Sequence, residues 1–376
     1  MTTTFPWDAS RFVAPATIHH LSIGGRSILF CEARQVLYGL NSTADRIWQS
    51  LAEGGPPLEA RRQLTDLGVA ADDARAFVED ATLSWLNGGQ LAPLEALACL
   101  NQPAGTTRNY LIDELSVRMD FFGDVKADSV DAVFGQFAVN ARPSALRLSI
   151  VSCRDRLFLF DAERPLGSHT ADEWIPRLKA TFTEHYTAHV RNAFLVHAAF
   201  LVHHGKGILI SGAPGAGKTT LCVALARSGF EYHGDDIVRL ESNGKAVGTP
   251  FAACVKSAAW PLVEPFVPDI RSLPVYRRAD VKDVRYLKMP LAKRYPRDID
   301  FVLLLSREDG AAPAFEPVEP LDAFSVLLES AFSAKGAITA PTLKTFASAI
   351  DSAASFRFVY SSLPDAIKAV EDLTSE

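Results

Sequence analysis

The run Gly212-Ala213-Pro214-Gly215-Ala216-Gly217-Lys218-Thr219 constrains the fold more than any other stretch of the chain. It has the form of a P-loop, which holds phosphate only when a strand feeds it and a helix leaves it. Both neighbours are legible. Residues 207–211 are an apolar, partly β-branched run suited to a buried strand, and residues 219–227 are helical in pattern up to a stop at Gly229. The glycines free backbone N–H groups to wrap anionic oxygens, and the unbonded amides at the helix N-terminus add a favourable dipole. The expectation is an α/β layer that binds the phosphates of a nucleotide through this run and the adjoining Thr220. Lys218 then reaches the β/γ-phosphates and the Thr219 hydroxyl holds Mg²⁺.

The same cradle serves hydrolases, transferases and switches, so its neighbours must decide. Asp235 and Asp236 stand 17 and 18 positions after Lys218. Two adjacent carboxylates beside a phosphate site divide into a proton acceptor and a metal ligand, provided that the chain ends a strand or bends there, because neighbouring strand residues otherwise face opposite ways. His197, in the apolar run Val196-His197-Ala198-Ala199, admits two readings, a core histidine or a group near the phosphates. His203, His204 and His233 have no comparable placement. Lys256-Ser257 follows a proline-containing strand and reads either as a solvated loop or as a group reaching ATP or the acceptor.

Composition narrows the class. A chain of 376 residues, 48% hydrophobic, is long enough for two or three cores. A formal net charge of −6 gives no general electrostatic reason to bind nucleic acid. The five cysteines are scattered without Cys-x-x-Cys spacing, which argues against a disulfide framework or a zinc site. No basic, then apolar leader and no membrane-length apolar run is present, so a cytoplasmic protein is expected, with neither membrane nor nucleic acid as partner.

Along the chain, residues 19–30 alternate apolar and polar positions around Gly24-Gly25, a hairpin signal. Three helical patterns follow, one from a Ser42 cap, one over 58–67 and one over 72–86 that stops at Gly88-Gly89. This block, 18–92, resembles the PqqD-like, winged-helix-like modules that recognise leader peptides of ribosomally made, modified peptides. The resemblance rests on the hairpin, on Leu40-Asn41-Ser42-Thr43-Ala44-Asp45-Arg46-Ile47-Trp48 and on Trp85-Leu86-Asn87-Gly88-Gly89-Gln90-Leu91. It implies that a precursor peptide adds as a strand to the sheet edge and packs on the last helix. A block that only packs on the rest of the protein is the alternative; DNA binding is disfavoured, since acidic residues outnumber basic ones over 1–90. The expected organisation is a tail at 1–17, the peptide module at 18–92, a linker at 93–106 carrying Pro93, Pro103 and Gly105, and the P-loop domain at 107–376.

In that last domain strands are expected at 115–122, 146–160, 194–200, 301–305 and 356–361, and helices at 170–191, 321–332, 342–350 and 364–373. Nine basic residues between Arg271 and Arg297, against Asp280 and Asp283, read as a solvated face or as a loop that closes over triphosphate or attracts an acidic peptide. His197, the P-loop, Ala226-Arg227-Ser228-Gly229-Phe230 and Asp235-Asp236 together resemble HPr kinase and its relatives, whose core is related to phosphoenolpyruvate carboxykinase. The resemblance covers about 194–240 and implies an ATP- and Mg²⁺-dependent kinase acting on a serine hydroxyl. Asp235 is then the proton acceptor, Asp236 contributes to Mg²⁺, His197 lies near the phosphates, and a homo-oligomer is the corresponding assembly. Thr219-Thr220 stands where the bifunctional enzymes have Ser-Glu, and their Glu-x-Arg-Gly-Leu-Gly signature is missing, which speaks against phosphorolysis. These departures resemble the kinases that act on precursors such as lasso peptides. A nucleotide-dependent peptide-binding scaffold and a small-molecule kinase are the competing readings.

Overall fold

The computed structural model describes residues 5–190, 193–290, 295–332 and 338–375, a mixed α/β chain with several sheets. It divides into two compact units, Met1–Ala127 with Phe137–Leu178, and Asp128–Gln136 with Lys179–Glu376. No helix among the described residues is long and apolar enough to cross a membrane.

The first unit begins with β1 (Phe12–Val13) and an antiparallel sheet of β2 (Ile18–Ile23), β3 (Arg26–Cys31) and β4 (Val36–Leu40). Gly24 and Gly25 have φ of 57° and 74°, the left-handed values that a two-residue hairpin turn requires. Helices α1 (Ser42–Ala52), α2 (Pro57–Asp66) and α3 (Ala71–Gly88) follow. The cap of α1 is Asn41 rather than Ser42, its side chain accepting the Ala44 N–H at 2.8 Å. Trp48 of α1 and Trp85 of α3 meet edge to face, ring centroids 5.1 Å apart, at the centre of the helical core.

The segments expected as tail and linker are structured, because their apolar residues outweigh their prolines. Phe5, Trp7 and Phe12 are buried, and β1 pairs with β5 (Ala92–Pro93). α4 (Leu94–Leu100) follows at once, with Ala96 fully buried. A five-stranded sheet completes the unit: β6 (Thr106–Ile112), β7 (Leu115–Phe122), β8 (Leu146–Cys153), β9 (Arg156–Asp161) and β10 (Arg164–His169). All its pairings are antiparallel except β7 with β8. Phe122, Val151, Phe158 and Phe160 share one core with Trp7, Trp48 and Trp85, so residues 107–127 and 137–169 group with the N-terminal block, whereas a boundary at 106/107 had assigned them to the P-loop domain.

The second unit holds α5 (Asp128–Phe134), α6 (Trp174–His189) from Lys179 onward, β11 (Phe194–Val196), β12 (Ala199–His203), β13 (Lys206–Ser211), α7 (Lys218–Arg227), β14 (Glu231–Gly234), β15 (Val238–Leu240), β16 (Ala246–Gly248), β17 (Ala253–Lys256) and α8 (Trp260–Val263). It continues through β18 (Tyr276–Arg277), β19 (Asp283–Leu287), β20 (Phe301–Arg307), β21 (Ala314–Pro317), α9 (Pro320–Glu329), β22 (Ala331–Phe332), α10 (Ala340–Asp351), β23 (Ala354–Tyr360) and α11 (Leu363–Ser375). Its main sheet runs β14-β12-β13-β20-β23-β21, with β13, β20 and β23 parallel. Parallel strands are covered on both faces, which is why Ile208, Leu209 and Ile210 are all fully buried. α7 packs in one apolar cluster with the start of α11, while residues of α9 and α10 pack in another. The C-terminal ends of β13 and its parallel neighbours therefore share one edge, where ligands of open α/β sheets sit.

The basic stretch 271–297 is in good part a hairpin and not a loop: β18 and β19 pair with each other, and β19 with β17. Arg271 pairs with Glu264, Arg277 with Asp283, and Arg285 lies 4.2 Å over the Trp260 ring. Lys293 and Arg294, like Arg191 at the end of the expected helix 170–191, lie outside the described residues.

Candidate active site

The site is built where β13 meets α7. Gly217, at φ 95°, caps α7, and a Cβ there would come within 3.1 Å of the Tyr360 hydroxyl. The turn is closed by the Ala216 N–H donating to the Ala213 carbonyl at 3.0 Å. Pro214, Gly215, Gly217, Lys218, Thr219 and Thr220 line a cavity of about 980 Å³, whereas Gly212, Ala213 and Ala216 form the turn behind that wall. The Lys218 ammonium donates to the Gly212 carbonyl at 2.7 Å, so it is already folded over the loop that would cradle phosphate. Burial and, next, the charge of Lys256 push its pKa down, which marks a space where two cations face one another and an anion is welcome.

The carboxylate pair lies on the bend that the chemistry demands. β14 ends at Gly234 and β15 begins at Val238, leaving Asp235 and Asp236 between them. A bulge precedes the bend: Phe200 of β12 opposes Gly234 while Leu201 opposes Tyr232, so β14 advances two residues where β12 advances one. Gly234 has φ 149° and a Cβ there would lie 2.6 Å from the Thr249 carbonyl oxygen, so any side chain would push the bend away. On the other side, Val196 of β11 pairs with Val238 of β15, which brings His197 alongside Asp236.

The two carboxylates have opposite surroundings. Asp235 is 5% exposed, and its Oδ1 lies 2.9 Å from the Tyr232 hydroxyl, which also lies 2.9 Å from the Phe251 carbonyl oxygen. Burial, then the neighbouring Asp236 charge, raise the Asp235 pKa, against the pull of Lys179 and of hydrogen bonds from Tyr232 and Thr219. For Asp236 burial acts in the same direction, but Lys179 and His197 win and hold its carboxyl well below the usual carboxylate range. The Lys179 ammonium sits 2.5 Å from Oδ2, and His197 Nδ1 lies 3.2 Å from Oδ1 and 2.9 Å from the Asp236 main-chain oxygen. Both partners of Nδ1 are acceptors, so Nδ1 carries the hydrogen. One carboxyl that holds protons readily thus stands beside one locked in its charged form, the pattern that separates a proton acceptor from an electrostatic group.

Sequence reasoning missed Lys179 and Tyr232. Lys179 is on α6, one position beyond buried Leu178 and four beyond buried Ile175, so it falls on the apolar face of that helix. It is also 5.3 Å from the centre of the Phe251 ring. An amphipathic helix with a lysine on its inner face is a legible signal, since buried lysines require a partner. Lys256, Arg278, Lys282 and Arg307 also line the cavity, so of the basic stretch Arg278 and Lys282 reach the site. His203 bonds Thr374, away from the cavity lining, and His233 is buried beside Phe200 and Tyr295.

No family model matches the chain, and no curated protein matches it. Among solved structures, the Hpr(Ser) kinase/phosphatase from Coxiella burnetii is similar at 15% identity over 48% of this chain and 88% of that chain, with a TM-score of 0.24. At that score the overlap transfers neither topology nor residue roles. The side chains themselves carry the functional reading.

The residues present fit Mg-ATP. The glycine turn, the α7 N-terminus and Lys218 are the donors a triphosphate takes. Thr219 and Asp235, joined by a hydrogen bond, offer oxygen to a hard cation that keeps phosphate and water as its other ligands. Asp236 fits less freely as a magnesium ligand, because Lys179 and His197 already occupy both of its carboxylate oxygens.

Proposed function

We propose that the chain is an ATP- and Mg²⁺-dependent phosphotransferase that acts on a hydroxyl of a peptide. The observation that carries this reading is the Asp235–Asp236 pair, driven to opposite protonation behaviour within the cavity of the P-loop. Bound Mg-ATP supplies the phosphoryl group and its electrophilic phosphorus. Asp235 takes the proton of the acceptor hydroxyl, a task suited to a carboxyl whose pKa is raised toward the working pH. Asp236, fixed as an anion by Lys179 and His197, keeps Asp235 from ionising too readily and holds those two donors in place. Lys218 and the P-loop amides take up the charge that spreads over the moving phosphoryl oxygens, with Lys256 beside them.

The peptide half of the proposal rests on the first unit. Among the described residues β4 pairs only with β3, and it carries exposed Val36 and Leu37, while α3 exposes Phe77. An open strand edge and unpartnered apolar side chains are what an added peptide strand requires. Capture there raises the local concentration of the acceptor segment, so a weak hydroxyl substrate still reacts. A leader of this kind belongs to a ribosomally made precursor, as in lasso-peptide pathways, and the reaction is then cytoplasmic.

Incubation with Mg-ATP and the peptide encoded beside this chain is expected to add one phosphate, read by mass spectrometry; intact ATP with unmodified but tightly held peptide would instead establish a scaffold. Leu37→Asp and Phe77→Asp, both at exposed positions, are expected to weaken leader binding about tenfold, or about 1.4 kcal/mol, at unchanged Tm. Fluorescence anisotropy of a labelled leader checks this; unaltered binding by both variants assigns the first unit a structural role only.

A further inference from the structure

The cavity has two chemistries on its wall. Charge is concentrated at Lys179, Lys218, Asp235, Asp236, Arg278 and Lys282. Two other lining segments are largely apolar. Leu262, Pro265 and Phe266 come from α8 and the turn after it, while Tyr360 ends β23, residues 361–362 follow it and residues 363–364 open α11. Val263 and Leu363, from these same segments, enter the apolar cluster packed around α7. Tyr360 adjoins the P-loop itself, as its contact with the Cβ position of Gly217 shows. A triphosphate tail has no use for such a wall, whereas a planar heteroaromatic ring does.

We propose that Leu262, Pro265 and Phe266, lining one cavity with Tyr360 and residues 361–364, form a purine seat that accepts adenine and guanine alike. This rests on the nucleotide reading above and adds the base to it. The polar groups on the wall explain the tolerance. Ser361 Oγ accepts the Gly310 N–H at 3.0 Å, and Ser362 Oγ accepts the Asp365 N–H at 3.5 Å as α11 begins. Each hydroxyl thereby uses one of its two lone pairs and keeps the other together with an O–H that can rotate to meet either base. Adenine and guanine both present ring nitrogens that accept such a donor, and discrimination of a hundredfold or more needs buried groups that one base leaves unpaired. Base affinity then comes from apolar contact, which either purine supplies.

Titration calorimetry with Mg²⁺ and either ATP, GTP or inorganic tripolyphosphate tests the seat without requiring turnover. Leu262 is 37% exposed, so Leu262→Asp alters the wall without entering the core, and a thermal melt verifies its fold. The expected result is ATP and GTP affinities within about tenfold of each other in the wild type. In Leu262→Asp both are expected to fall about tenfold, or about 1.4 kcal/mol, with tripolyphosphate unchanged. The seat is overturned by a purine preference greater than tenfold, by unaltered ATP binding in the variant, or by an equal loss for tripolyphosphate. A wild type that binds none of the three ligands overturns the nucleotide reading itself.

Discussion

Asp235→Asn is expected to lower kcat for peptide phosphorylation by about 10²- to 10⁴-fold, and at the same time to raise Tm at pH 7. The first effect follows from loss of the proton acceptor; the amide keeps the shape and still accepts the Tyr232 hydroxyl. The second follows from the sign of the pKa shift. A carboxyl whose folded pKa is raised is worse off in the fold than in the unfolded chain whenever it is ionised. That penalty is complete above the folded pKa and vanishes as pH falls below the unfolded value of about 3.9. The Tm gain of the variant should therefore shrink as the melt is moved from pH 7 toward pH 4. Unchanged turnover would remove Asp235 from the chemistry, and an equal Tm at both pH values would remove its strain.

Lys179→Met is expected to have the largest effect on stability, about 3–5 kcal/mol by denaturant titration at pH 7, because it leaves Asp236 charged, largely buried and short of its main cation. The pH dependence has the opposite sign to that of Asp235. The folded pKa of Asp236 is lowered, so the stabilisation it lends is present in full above the unfolded value of about 3.9 and is lost as pH falls through the folded one. The gap between wild type and variant should be constant near neutrality and close in strong acid. Pairing Lys179→Met with Asp236→Asn should recover most of the loss, since removing both charges removes the uncompensated one. Failure to recover would place the cost in the packing of Lys179 against Phe251 instead.

Much of the second unit was written locally. The P-loop, its strand and its helix are consecutive in the chain, and the need for a bend at Asp235-Asp236 follows from the alternation of strand side chains, as the gap between β14 and β15 bears out. Lys179 was legible as a lysine on the inner face of α6, but its pairing with Asp236 was not, because that partner is 57 positions away. The hairpin of β18 and β19 was hidden by its brevity, since β18 is only Tyr276–Arg277 and the alternation in β19 runs over five residues amid a basic stretch. In the first unit, prolines at 93 and 103 read as punctuation, yet Pro93 ends a short strand and precedes a helix whose Ala96 is fully buried. Proline at such a junction costs little, because the amide it lacks would be unbonded at a helix start. Which of the two units a sheet joins is a question of shared apolar contact, which spacing does not encode.

The bulge between Tyr232 and Gly234 has a further consequence for how this region tolerates change. Two residues of β14 span one of β12 there, and strand faces alternate residue by residue. Deleting a single residue at that point would leave every side chain of the cavity in the chain and yet advance the bend by one place, putting Asp236 under the Tyr232 hydroxyl and Ile237 against Lys179. The number of residues between Tyr232 and Asp235 is thus constrained in its own right, apart from what each of them is.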